Sequence, residues 1–214
     1  MPFRPTSKRL FATSIAASLL VISGWAAAAH LPEGSVQLVN TPGPGGPLGT
    51  NGFDVFVDQR VAARFTVPAG GPDMHFERAG VWLMNNSDNV QAQVVVSLQT
   101  DALDEGGDAT LPSGNSLEHW VTRVKTYGWS PVQQFVFGHP DTAPLLKAGH
   151  SYWIVVASNA KPLQDPVWTF ARKGLGWSTT SSGGVWQQAG EGGALTLRVD
   201  ALPVDGAARV RLGN

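Results

Sequence analysis

Ala194-Leu195-Thr196-Leu197-Arg198-Val199 sets Leu195, Leu197 and Val199 at alternate positions, with Thr196 and Arg198 between them. Successive side chains of an extended chain point to opposite faces, so a period of two puts the three apolar residues on one face. Phe65 and Val67 alternate with Arg64 and Thr66 in the same way. This pattern suits antiparallel strands with one face on a core and the other in water. Val94-Val95-Val96 breaks the alternation and reads as a strand buried on both faces.

Outward from that stretch, short β-type runs are separated by clusters of Gly, Pro, Asn and Asp. They predict strands at Val36–Val39, Phe53–Val57, Ala62–Val67, Ala79–Asn85, Val90–Gln99, Gln133–Phe137, Tyr152–Ser158, Val167–Ala171, Gly184–Gln188 and Ala194–Val199. Only Leu117 to Tyr127 has helical spacing, through Leu117, Trp120, Val121 and Val124. Its β-branched residues oppose a helix, so the segment is ambiguous. Many short strands without strand–helix alternation predict an all-β protein, an antiparallel β-sandwich of jelly-roll or Greek-key type. The expected organisation is a signal peptide over 1–29, an N-terminal strand and Gly/Pro-rich loop over 30–52, a β-sandwich domain over 53–202 and a tail over 203–214.

The leader carries Arg4, Lys8 and Arg9, then an apolar stretch from Leu10 to Trp25, then Ala26-Ala27-Ala28-Ala29. A basic start, a short apolar run and small residues before the cut are what a secretory signal requires, with cleavage expected after Ala29. The stretch is too rich in Ala and Ser for a membrane anchor, and no later segment is apolar enough to span a bilayer. Cleavage leaves 12 basic against 16 acidic residues, a formal charge of −4. A mildly acidic chain without a Lys/Arg run excludes the usual footprint of nucleic-acid or anionic-membrane binding. Cysteine is absent, which removes disulfides, thiolate metal sites and thiol nucleophiles. The expected location is outside the cytoplasm, in the periplasm or the medium.

The chain resembles the exported bacterial "choice-of-anchor" domains, in particular the choice-of-anchor R type. The residues that carry the likeness are Val61-Ala62-Ala63-Arg64-Phe65, Val94 to Asp101, Pro112-Ser113-Gly114 with Leu117-Glu118, Pro144 to Trp153, Pro166-Val167-Trp168 and Leu195 to Val199. The resemblance implies a jelly-roll-like exported domain and little about chemistry. The usual C-terminal sorting segment, a hydrophobic helix with a basic tail, does not follow Val199, so release rather than anchoring is expected.

Asp101, Asp104, Glu105 and Asp108 cluster in one loop with Gly106 and Gly107. Calcium takes six to eight oxygens, and this loop offers four carboxylates, but the spacing is not that of an EF-hand. A solvated acidic turn is the favoured reading and a calcium site the competing one; no other cofactor is expected. His30, His75, His119, His139 and His150 form no metal-binding pair by spacing and read as surface loop residues. There is no Gly-x-Ser-x-Gly elbow, and Ser113 reads as a turn serine. A hydrolase would have to assemble its site from distant residues, with Asp101, Glu118 and Glu77 the first carboxylates to test.

Seven of the eight tryptophans follow the leader. Trp82, Trp153 and Trp168 sit in apolar runs and are expected in the core. Trp129, Trp177 and Trp186 lie in turn-like contexts and are the candidate ligand-binding residues, because sugar rings stack their C–H faces on exposed indoles. The sequence therefore reads as a secreted, non-catalytic binding or extracellular structural domain whose partner is a glycan or envelope material. The alternative is a secreted hydrolase acting on polysaccharide or ester.

Overall fold

A computed structural model describes residues 31–42, 47–87, 92–102, 111–124, 132–139, 142–187 and 190–204; at 47–50, 132–135, 173–175 and 177 it describes the backbone alone. The chain divides into two units, Met1–His30 and Leu31–Asn214, and the description concerns the second. The expected signal peptide, Asp104, Glu105, Asp108, Trp129 and the tail beyond Val204 lie outside the described residues.

The protein is nearly all antiparallel β. The strands are β1 (Val36–Asn40), β2 (Pro47–Asp54), β3 (Gln59–Thr66), β4 (Met74–Asn85), β5 (Ala92–Ala102), β6 (Leu111–Val124), β7 (Val132–Phe137), β8 (Leu145–Leu146), β9 (Ser151–Ser158), β10 (Pro166–Ser182), β11 (Val185–Trp186), β12 (Gly190–Leu195) and β13 (Leu197–Pro203). Hydrogen bonds run through them in the order β1-β13-β4-β10-β3-β9-β5-β6. β7 and β8 add to β4, while β2, β11 and β12 add to β10.

Strand β10 belongs to two groups. Its first residues, Pro166 to Trp168, pair with Asn85 to Leu83 of β4, and Val167 to Ala171 pair with β2. Its last residues, Ser178 to Ser182, pair with Ala63 to Gln59 of β3, and Leu175 to Ser178 pair with β12. The predicted strand Val167–Ala171 thus extends to Ser182, through glycines that read as a turn. Gly176 favours proximity: a Cβ at this position would lie 3.1 Å from the Ala194 side chain, and β12 would have to give by a few tenths of an ångström.

Both groups contribute to one core. Val61, Ala63 and Phe65 of β3, Val94, Val96 and Leu98 of β5, and Ile154 and Val156 of β9 join Phe76, Val81 and Leu83 of β4 and Val199 and Ala201 of β13. Fully burying side chains of this size stabilises by about 1.5–3 kcal/mol each. Trp168 is wholly buried here, as expected. Trp82 is not in this core and is only half-buried, since it shares a strand with Val81 and Leu83 and falls on the opposite face. Val95 is 37% exposed between fully buried Val94 and Val96, so strict alternation wins over the expectation of two buried faces. The ambiguous stretch from Leu117 lies largely in β6, with Trp120 stacked at a tilt on Phe76 and Val121 turned to solvent. Ser113 is within β6 too, where a register shift opposite Gln99 makes room for Gly114 at φ +81°.

The opening stretch, Ala194 to Val199, forms two strands instead of one. β12 ends at Leu195 and pairs with β10, while β13 starts at Leu197 and pairs with β4. The break at Thr196 carries the chain from one group to the other, and Leu195, Leu197 and Val199 still all enter the core. Thr41 spans the break. Its hydroxyl donates to the Leu195 carbonyl and accepts from the Leu197 N–H at 2.8 Å. Thr41→Val keeps the shape and leaves that N–H without its acceptor. It should cost about 1–3 kcal/mol, seen as a lower urea midpoint at an unchanged m-value.

Candidate functional site

The side chains of β3, β9 and β5 that point away from the core form a second, mixed surface. Register sets them in rows: Arg64 beside Trp153 beside Gln99, then Ala62 beside Val155 beside Ser97, and Ala157 beside Val95 beside Val121. β10 and β11 continue the surface, with Thr179 next to Ala62, Ser181 next to Arg60, and Trp186 next to Ser181.

Trp153 is the centre. It is fully buried, but in a separate cluster with Ala62 and Val155, against which Leu111 and Trp186 pack. The expectation that Trp153 fills the main core is therefore corrected: its neighbours Tyr152 and Ile154 point into that core, so position 153 cannot. A buried indole N–H needs an acceptor, and Trp153 Nε1 donates to Asp101 Oδ1 at 2.6 Å. Burial pushes the Asp101 carboxyl above its ordinary value, while the indole hydrogen bond and the nearby Arg64 charge pull it back.

The surrounding polar groups are tied to one another. Gln99 donates from Nε2 to Ser97 Oγ at 2.9 Å and accepts from the Gly114 N–H at 3.1 Å. Arg60 donates from Nε to Ser181 Oγ at 3.3 Å, and its guanidinium carbon lies 5.2 Å from the Trp186 ring centroid, a cation–π distance. On the same face is an open cavity of about 280 Å³, lined by Gln93, Val95, Ala157, Ser158 and Asn159.

Of the residues singled out in the sequence, Trp186 is on this face, half-buried, with Arg60 over its ring. Trp177 is in β10 with its backbone opposite Glu191, and Trp129 is outside the described residues. Asp101 is brought to the face and is engaged by Trp153; Asp104, Glu105 and Asp108 are outside the described residues. Glu77 and Glu118 lie on β4 and β6, each with its carboxyl raised by burial, and neither belongs to the electrostatic surroundings of Asp101. His75 and His119 lie on strands β4 and β6, not in loops. Arg60, Arg64, Gln99 and Trp153 escaped sequence reasoning. The series Gln93, Val95, Ser97, Gln99, Asp101 at a period of two was the available signal.

No protein-family model matches the chain, and no curated protein matches it.

A raised folded-state pKa has a definite sign. Stability from Asp101 is complete below the ordinary aspartate value of about 3.9 and is lost as pH rises through the higher folded value. Asp101→Asn removes this loss, and its amide oxygen still accepts from Trp153. The variant should gain on the parent as pH rises from about 3 to 7. Urea midpoints at the two pH values measure it, and a gap that stays constant or moves the other way refutes the assignment.

Proposed function

We propose that this chain is an exported β-sandwich of jelly-roll type, akin to the choice-of-anchor domains, and that its β3–β9–β5 face binds an extracellular glycan without catalysis. The sandwich reading rests on two groups of strands that share β10 and contribute to one core. Export rests on the basic, apolar and alanine-rich segments of the leader. Among the described residues no helix is long and apolar enough to cross a membrane. The location that fits is the periplasm or the medium, with glycan or envelope material as partner.

The observation that carries the binding reading is the composition of the outer face. Sugars present hydroxyls that demand paired donors and acceptors, beside C–H patches that prefer an apolar or aromatic surface. Gln93 and Asn159 supply polar groups and Val95 and Ala157 apolar ones at the cavity, and Arg60, Arg64 and Trp186 continue the same face. Trp153, packed with Ala62 and Val155 under Leu111 and Trp186, holds Trp186 in place, and a pre-placed aromatic lowers the ordering cost of binding.

Affinity electrophoresis in gels of different polysaccharides, with a glycan array, tests it on the secreted protein. Retardation by a particular glycan is expected, and Trp186→Ala or Arg60→Ala should weaken it at least tenfold, about 1.4 kcal/mol. Trp129→Ala and Trp177→Ala show whether those indoles extend the site. Release of reducing ends would favour the hydrolase alternative. Absence of retardation on any glycan, or retardation untouched by both face variants, would discard this face as the site and favour a structural envelope role.

A further inference from the structure

At the opposite end of β10 from Trp186, three strand ends meet. Asp54 closes β2, Asn86 follows β4, and Asp165 immediately precedes β10. Backbone bonds fix their neighbourhood: Asn86 N–H donates to the Asp165 carbonyl at 2.9 Å, and Val55 N–H donates to the Pro166 carbonyl at 2.8 Å. Asn86 Nδ2 reaches Asp54 Oδ1 at 3.2 Å.

Asp165 is only 1% exposed. Burial pushes its carboxyl above the ordinary value, while the nearby Asn86 amide and the backbone N–H groups of Leu163 and Asp165 pull it back. Its Oδ2 nevertheless has no hydrogen-bond partner among the described residues. A buried carboxylate oxygen without a partner is costly, and a second carboxylate within electrostatic reach adds to the cost. Asp54 is that second carboxylate: burial is the main cause that pushes the Asp165 carboxyl up, and the Asp54 charge adds to it. Neither aspartate takes part in an ion pair with Lys or Arg among the described residues.

We propose that Asp54 and Asp165 hold a hard divalent cation, calcium before magnesium, where β2, β4 and β10 come together. A cation there would satisfy Oδ2 and cancel the repulsion of the two aspartates in a single step. The protein donors are the two carboxylates, with water completing the six to eight oxygens that calcium takes. Magnesium demands a stricter octahedron than a surface loop supplies. The structural effect is to pin the loop from Asn159 to Asp165, in which Leu163 holds a φ of +67° and is 83% exposed. The same loop begins at Asn159, a wall of the cavity on the outer face. The site does not rest on the glycan reading, since neither Asp54 nor Asp165 lines that cavity or touches Trp186.

Calcium titration calorimetry and thermal melts on the EDTA-stripped full chain test it, with magnesium as control. Uptake of calcium is expected, with a rise in Tm of roughly 5–10 °C at about a hundredfold excess over Kd. Asp54→Asn should remove one bound calcium and the rise in Tm, and it is the decisive variant because Asp54 is exposed and tolerates substitution. Asp165→Asn should do the same, and Asp104→Asn should leave both intact. Absence of calcium uptake overturns the proposal. So does uptake unchanged in Asp54→Asn, or uptake lost in Asp104→Asn, which would transfer the cation to the acidic loop beginning at Asp101.

Discussion

Two buried threonines, Thr169 and Thr196, hold the place where the chain passes twice between its two groups of strands. Both are wholly buried. The Thr196 hydroxyl and N–H both donate to the Thr169 carbonyl at 2.9 Å, and the two hydroxyls lie 3.2 Å apart. Trp168 Nε1 donates to the Thr196 carbonyl at 2.8 Å, and Thr169 Oγ1 reaches the Trp82 carbonyl at 3.2 Å. A strand that leaves one ladder for another must abandon some backbone partners, and buried backbone groups cannot be left unpaired. Here threonine hydroxyls and an indole replace the missing ladder bonds. Without them β10 and the β12–β13 segment could not cross inside a dry core.

The outer face depends on that corner through geometry. β10 leaves it to flank β3, which fixes β9 and β5 by antiparallel register and so decides which residues point outward. Trp153 then stands on the wrong side for the main core and requires a cover of its own. Leu111 and Trp186 provide it, and Asp101 takes the indole proton donor. The carboxylate is thereby half-desolvated, which is why its pKa rises although an indole and an arginine favour its charged form. A polar surface resting on a buried aromatic is stiff, and its side chains are already bonded to one another before any ligand arrives.

The legible part of the sequence was its alternation. Phe65 and Val67 of β3, and Leu195, Leu197 and Val199 across the corner, pointed to the right face. What alternation cannot reveal is where a strand changes partner, because Thr196 breaks the ladder without breaking the period of two. Gly176 misled for a related reason: in β10 it serves close approach of β12, not a turn. Aromatic residues were the least legible at the site. Trp153 and Trp168 look alike in their apolar runs, yet one register step puts Trp168 between the strand groups and Trp153 outside them. Arg60 and Arg64 were unreadable as a pair, since their meaning comes from Trp186 and Asp101, which are remote in sequence.

The long reach of the pairing bears on how such a chain folds. β1 near the start of the described chain pairs with β13 near its end, matching Val36 with Ala201. Thr41 and Leu197, bonded across the corner, are 156 residues apart. Contacts of this separation must meet the entropy of closing the chain before they return any stability, so slow folding is expected. The core cannot close until β12 and β13 exist, because Leu195, Leu197 and Val199 are part of it. A chain with this topology remains open while its C-terminal strands are still being made. That property suits the proposed export by a route that threads the chain unfolded. In a chain without cysteine, the β1–β13 pairing and the Thr41 hydrogen bonds are what tie the two ends of the described domain together.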